Sequence, residues 1–427
     1  MAGFFVFCRA RLAVIQVPPA AMTPHASART SRVLPILVLA GIALSAFNLR
    51  TAVTSLTPLL DLLGARFGFG STTAGLLGML PTLAFALFGV ATPALTRRIG
   101  LERTALLAMS LAALGLIMRS LAQGVGVLGL GAAVALAGMG IGNVVLPPLV
   151  KRWFPTRVGA ISTVYITVLQ LGTMLPALVA VPLADAAGWR VALGVWALTA
   201  AVAALPWAWL LLRHRDALAP PVATVDASAA ASAPVGRVWR SPIAWGMALM
   251  FGTTSLITYS MFTWLPLLLT EAGASPAFGG AMVALFSALG LVGALGMPAV
   301  AVRMRNPFVI VLLCAGCHLA AYAGLLLAPM QAPVLWVFLL GLGPTTFPLA
   351  LTLINLRTRT PAGSAALSGF MQGTGYAISC AGPLLFGVLH AASGGWVWPF
   401  GMLVVAVAVL LFGGWLACKP RWLEDSW

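Results

Sequence analysis

The sequence predicts an all-α integral membrane protein: twelve transmembrane helices in two six-helix repeats, with both termini cytoplasmic. Three observations carry this. Of 427 residues, 61% are hydrophobic and 7% charged, against about 25% charged in a soluble domain, so the chain lacks the polar residues to cover a globule. The apolar residues fall in runs of about 20, enough to cross roughly 30 Å of hydrocarbon at 1.5 Å per residue. The basic residues alternate from loop to loop, as the positive-inside rule requires.

In chain order the runs occupy about 33–57, 72–95, 104–121, 125–150, 158–183, 191–212, 243–269, 276–302, 307–328, 333–356, 362–389 and 396–416. The two tails and every even-numbered loop hold 20 of the 24 lysines and arginines. The opposite loops and their edges hold only Arg66, Arg119 and Arg190, and Arg50 lies inside the first run. This asymmetry puts both ends in the cytoplasm, demands an even number of spans and implies a cell inner membrane. The net charge of +16 therefore reports topology. Scattered over short segments with no binding module, it excludes nucleic acid as a partner.

Residues 1–32 form a cytoplasmic tail. Its first 21 residues hold a short apolar stretch interrupted by Arg9 and Arg11, without a convincing cleavage site. With an alternative start at Met22, residues 1–21 read as a disordered tail or a start-site artefact. An N-terminal six-helix bundle then covers 33–212, a polar Ala/Pro/Ser-rich cytoplasmic linker 213–241, a C-terminal six-helix bundle 242–416 and a cytoplasmic tail 417–427. The halves echo each other at an offset of about 204 residues: Pro93 to Arg98 matches Pro298 to Arg303, and Gly138-Met139-Gly140 recurs as Gly341-Leu342-Gly343. Such parallel repeats place a solute site between the halves near the midplane.

Polarity is unevenly distributed. Spans three, six and twelve are almost wholly apolar, with Ser110 and Thr199 as minor exceptions. Spans one, four, five, seven, ten and eleven carry Asn48, Arg50, Asn143, Tyr165, Gln170, Tyr259, Thr345, Thr346, Asn355, Gln372 and Tyr376. Polar groups in hydrocarbon must face a cavity or a partner. Span nine, with His318 and Tyr322, fits this division least well.

Arg50 is the most informative residue. A charge within a span costs at least about 2.5 to 3.5 kcal/mol on insertion scales, and every acidic residue maps to a loop, a tail or a span end. Its planar, permanently protonated fork suits small oxyanions and planar anionic ligands, so the candidate substrate-binding set is Arg50, Asn48, Asn143, Tyr165, Gln170, Tyr259, Gln372 and Tyr376. For the neutral members, hydrogen bonds between helices are the competing role; for Arg50 it is capture by carbonyls, Asn48 or Asp61. Paired Pro147 and Pro148 are expected to bend span four, whose glycines allow close packing. Trp264 and Trp396 read as interface anchors. Cys314, Cys317 and His318 spell a haem-attachment pattern but lie mid-span, where that chemistry has no place. Neither a cofactor nor a metal is expected.

Asn48-Leu49-Arg50-Thr51-Ala52, Gly142-Asn143-Val144-Val145-Leu146-Pro147 with Lys151, Trp264-Leu265-Pro266, and Gln372 to Tyr376 with Gly382-Pro383-Leu384 together resemble the cyanate and 2-nitroimidazole transporter branch of the major facilitator superfamily. The likeness runs from about Arg32 to Trp415. It implies a major facilitator fold, a small-molecule solute and alternating access, with Arg97, Arg98, Gly100, Glu102, Pro147 and Lys151 as gating residues. One departure is Arg97, which stands where the superfamily usually has an Asp; Glu102 is the candidate substitute.

The function expected is a secondary transporter, not an enzyme, that moves a small anionic or polar solute, cyanate-like or nitroimidazole-like, as a monomer surrounded by membrane lipid. A multidrug-type proton-coupled efflux carrier is the alternative, and a membrane receptor or enzyme a further one. The first would need a membrane-embedded carboxylate and the second a catalytic cluster or soluble domain, and the sequence has none of these.

Overall fold

The computed structural model describes residues 30–213 and 237–426. Most of the N-terminal tail and of the linker, together with Trp427, lies outside the described residues. All twelve expected runs correspond to helices. Span one comprises Thr30–Asn48, Thr51–Thr54 and Leu60–Phe67, joined through a 3-10 turn at Thr57–Leu59. Spans two to six are Ser71–Ile99, Leu101–Ser120, Val125–Trp153, Val158–Ala187 and Trp189–Arg213. Spans seven to nine are Pro242–Glu271, Pro276–Arg303 and Phe308–Leu327. Span ten runs through Pro333–Leu342 and Thr346–Leu356 around a 3-10 turn at Gly343–Thr345, and spans eleven and twelve are Pro361–Ser393 and Val397–Cys418.

Eleven described helices are long and apolar enough to cross a membrane. Span seven falls short only in apolarity: it has 30 residues but carries Thr253, Thr254, Ser255, Thr258, Tyr259, Ser260 and Thr263. A span this polar belongs inside the bundle, and most of its residues are buried there.

Two spans are broken, and each break has a local cause. In span one, Pro58 supplies no N–H to the preceding turn, and Leu56 N–H bonds the Val53 carbonyl rather than that of Ala52. Side-chain hydroxyls add bonds to the backbone around the break: Thr51 donates to Asn48 O, Thr54 to Arg50 O and Ser55 to Thr51 O. In span ten, Pro344 sits within the 3-10 turn, and the Thr345 and Thr346 hydroxyls donate to Leu342 O and Gly343 O. Span four, by contrast, remains one continuous helix through Pro147 and Pro148, so the prolines expected to bend it do not interrupt it.

The halves meet through small residues. A Cβ on Gly75 of span two would stand 2.7 Å from the Pro383 carbonyl oxygen of span eleven, and one on Gly280 of span eight 2.5 Å from the Ala177 carbonyl oxygen of span five. Both contacts lie toward the arginine-poor end. There the Ser71 hydroxyl meets His390 Nδ1 at 3.3 Å, while Glu271 accepts from Trp396 at 2.9 Å and pairs with His390 Nε2 at 3.5 Å. That end is closed, and the space between the halves opens toward the arginine-rich end.

Candidate functional site

The space between the halves is a cavity of about 1180 Å³. Its walls come from spans one, two, four, five, seven, eight, ten and eleven. Val90, Pro93, Pro147, Val302 and Leu356 mark its mouth, and Arg50 lines it deeper in the membrane.

Arg50 occupies the break in span one, with φ −130° and ψ −6°. Leaving the helix there turns the guanidinium into the cavity, 4.5 Å from the centroid of Phe85 and 5.9 Å from that of Tyr259. Cation–π contact of this kind contributes about 0.5 to 2 kcal/mol, the upper end applying when desolvated. Tyr165 and Tyr259 lie within the field of its charge, and the Tyr376 hydroxyl is also hydrogen-bonded to its guanidinium. Nη1 is buried without a hydrogen-bond partner among the described residues, and none of the described residues lining the cavity is a carboxylate. A charge-bearing N–H left in this condition is a strong unsatisfied donor.

The rest of the inner wall is aromatic. Phe85 faces Tyr259 and Tyr376 with centroids 6.2 and 5.9 Å apart, Tyr259 packs on Phe262 at 6.1 Å, and Phe262 meets Phe286 edge-on at 5.2 Å. The cavity thus offers one cation, several hydroxyl and amide groups, and broad π faces. That combination suits a planar ligand with negative or electron-rich edges.

Seven of the eight residues singled out in the sequence line this cavity: Arg50, Asn143, Tyr165, Gln170, Tyr259, Gln372 and Tyr376. Several are already engaged. Gln170 Nε2 donates to the Ser287 carbonyl of span eight at 2.8 Å, joining the two halves. Gln372 Nε2 donates to Ser368 Oγ at 2.9 Å, and Asn143 Nδ2 to Met139 O at 3.1 Å. Asn48 is placed elsewhere. It is fully buried, donates to Leu44 O, and accepts at 2.7 Å from Thr199 of span six, so one of the two supposed minor exceptions in the apolar spans is its partner.

Among the expected gating residues, Pro147 lines the cavity mouth. Arg97, Arg98 and Lys151 are exposed, and Gly100 adopts φ +86°, a left-handed conformation that separates spans two and three with little strain in glycine. Glu102 is only 3% exposed and accepts from Arg152 at 3.3 Å and from Trp153 at 3.0 Å. It therefore ties span three to span four within one half, rather than to the arginines of its own loop. Trp264 is not an interface anchor: it is 1% exposed and donates to Pro383 O of span eleven. His318 is fully buried, with its ring against Tyr322, outside the cavity lining. Two groups escaped the sequence reading. The Phe85, Phe262, Phe286 and Phe347 walls carry no polar flag, and Arg119, expected at a loop edge, is wholly buried.

A family model described as the Major Facilitator Superfamily matches residues 42–381. The chain belongs to this superfamily. This facilitator is 33% identical over 387 residues to the 2-nitroimidazole transporter of Escherichia coli, covering 88% of this chain and 94% of that protein. It is 31% identical over 382 residues to the cyanate transport protein CynX of the same organism, at 88% and 95% coverage. A third relative, the uncharacterized transporter YycB of Bacillus subtilis, is 32% identical over 393 residues, at 91% and 95%. In fold, the facilitator is similar to a bacterial homologue of the human lysosomal transporter Spinster, crystallised inward-facing and occupied. The TM-score is 0.71 at 16% identity, with 93% of this chain and 98% of that one covered. A D-xylose–proton symporter matches with a TM-score of 0.65 at 14% identity, covering 88% of this chain and 97% of that one. The protein is thus a multi-pass transporter of the inner membrane, built on the twelve-helix facilitator fold.

Proposed function

We propose that this facilitator is a secondary carrier for small planar anionic or electron-rich solutes, of cyanate-like or nitroimidazole-like chemistry, and that Arg50 is the anion contact. The observation that carries the proposal is the Arg50 guanidinium, which lines the cavity with Nη1 left without a hydrogen-bond partner and with no carboxylate among the described lining residues. A bound anion would neutralise the charge and accept from the guanidinium, and its planar faces would meet Phe85 and Tyr259. The names of two relatives fit this reading. Both match over 88% of this chain, and one is named as a transporter of 2-nitroimidazole and the other of cyanate.

The loop charges favour a cytoplasmic position for both termini, so the open mouth would face the cytoplasm and the conformation would be inward-open. Alternating access then requires the contacts of spans two with eleven and five with eight to part as the arginine-rich end closes. Both halves of the cavity come from one chain, so a monomer suffices as the transport unit. Binding of cyanate, nitrate, 2-nitroimidazole and benzoate to purified protein, read as a rise in melting temperature, tests the proposal, because a ligand of the folded state stabilises it by mass action. Stabilisation by at least one of them that is lost in Arg50→Gln supports it; stabilisation by none refutes it.

A further inference from the structure

Arg119 is the most deeply sealed charge in the described structure, with no exposed surface, and it lies outside the cavity. The other buried charged residues also tie span to span, but into regular helix ends away from the cavity: Glu102 to Arg152 and Trp153 of span four, Arg357 of span ten to the carbonyls of Ala417 and Cys418 of span twelve. The bonds of Arg119 reach from the end of span three to one short, broken stretch of span one. Its Nη1 donates to Ala52 O at 2.5 Å and its Nη2 to Ser55 Oγ at 2.8 Å. Ala52 O is the carbonyl that Leu56 N–H abandons at the break, and the Ser55 hydroxyl passes the restraint on to Thr51 O. All three anchored groups fall within five residues of Arg50.

A buried cation with no carboxylate beside it is expensive. Helix packing alone asks only for an apolar side chain at this position. What a guanidinium adds is two donors held in a rigid fork, which fix two points of a non-helical segment at once. We infer that Arg119 is a positioning residue of the transport site: it holds the segment after Arg50 in the broken conformation that delivers the Arg50 guanidinium into the cavity. The inference rests on the reading of Arg50 as the anion contact.

The test is a double-mutant cycle on purified full-length protein, with the tightest binder among cyanate, nitrate, 2-nitroimidazole and benzoate as the probe. Ser55→Ala removes one hydroxyl and one of the two anchors, and should weaken probe affinity about 3- to 10-fold, the range of a single lost hydrogen bond. Arg119→Gln should weaken it further, with Arg119→Lys between Gln and wild type because one donor survives. In an Arg50→Gln background, Ser55→Ala should have no further effect on affinity, since it acts only through Arg50. A merely structural Arg119 would instead lower the melting temperature and change affinity equally in both backgrounds. That result overturns the inference, as does unchanged affinity in folded Ser55→Ala protein, which also serves as the test if Arg119→Gln does not fold. If Arg50→Gln itself leaves affinity intact, or no probe binds, the reading of Arg50 fails and the inference falls with it.

Discussion

Substituting Gly75 by valine should push the conformational equilibrium away from the state in which the arginine-rich end is open. In that state span two lies directly against span eleven. The added Cβ would stand 2.7 Å from Pro383 O, 3.2 Å from Leu384 Cα and 3.3 Å from Leu384 O. All three are backbone atoms, so no side-chain rotation relieves the clash. Overpacking of this kind costs about 1 to 3 kcal/mol, which corresponds to roughly a 5- to 150-fold shift in a two-state equilibrium. The opposite state, in which spans two and eleven part at this end, does not carry the cost. The assay is thiol labelling of Val302→Cys, a cavity-mouth position that is 64% exposed, in a background free of native cysteines. Labelling should slow by the factor by which the open population falls. Gly126→Val is the control, because it lies outside the cavity lining and its Cβ meets nothing within 4 Å. Unchanged Val302 labelling in well-folded Gly75→Val protein, or equal slowing by Gly126→Val, would refute the assignment of this contact to the closed gate.

Gln170→Ala deletes the bond to the Ser287 carbonyl across the halves and should slow the same Val302 reporter about 2- to 10-fold, the worth of one hydrogen bond; an unaltered rate would leave Gln170 as a cavity donor only. At the opposite end of the fold, burial alone would raise the pKa of Glu424 in the C-terminal tail, but its own N–H and those of Thr360 and Arg359, with the Thr360 hydroxyl, outweigh this and hold it below its ordinary 4.5. A carboxylate with a depressed folded-state pKa stabilises the protein above its unfolded value and loses that contribution as pH falls through the folded one. Glu424→Gln should therefore melt below wild type at pH 7, and the gap should close on acidification below about pH 4.5; a gap independent of pH would show that the carboxylate charge is irrelevant. Cysteines placed at positions 155 and 271 should label from opposite sides of the membrane, and labelling from one side would defeat the topology drawn from the loop arginines.

The spans were legible in the sequence because insertion into hydrocarbon imposes a length and an apolarity that survive any tertiary arrangement. Even span seven, whose threonines and serines dilute it, remains a 30-residue segment bounded by Arg240 and Glu271. Arg50 was legible for the same reason, since its cost in a span is visible without a structure. What the sequence hides is direction. Phe85 and Leu87 look alike as apolar residues of span two, yet Phe85 is 4% exposed and faces Arg50, whereas Leu87 is 58% exposed on the outer surface. Asn48 and Arg50 are two residues apart and both polar, but the break between them sends one toward Thr199 and the other into the cavity. Arg119 counted as a loop-edge charge because it ends a run. Its partner, the orphaned Ala52 carbonyl, exists only once span one is broken.

If Arg50 neutralises a bound anion, Arg50→Gln should separate affinity from stability when both are measured on the same purified protein. Losing a charge-assisted hydrogen bond costs roughly 1.5 to 3 kcal/mol, or about 10- to 150-fold in affinity. Glutamine is cheaper to place in a membrane than arginine, so the unliganded melting temperature should be maintained. Arg50→Lys should bind with intermediate strength, since it keeps the charge and loses the fork. Arg50→Gln protein should remain stable and bind its anion at least tenfold more weakly than wild type; a stable protein with unchanged affinity would remove Arg50 from the binding site.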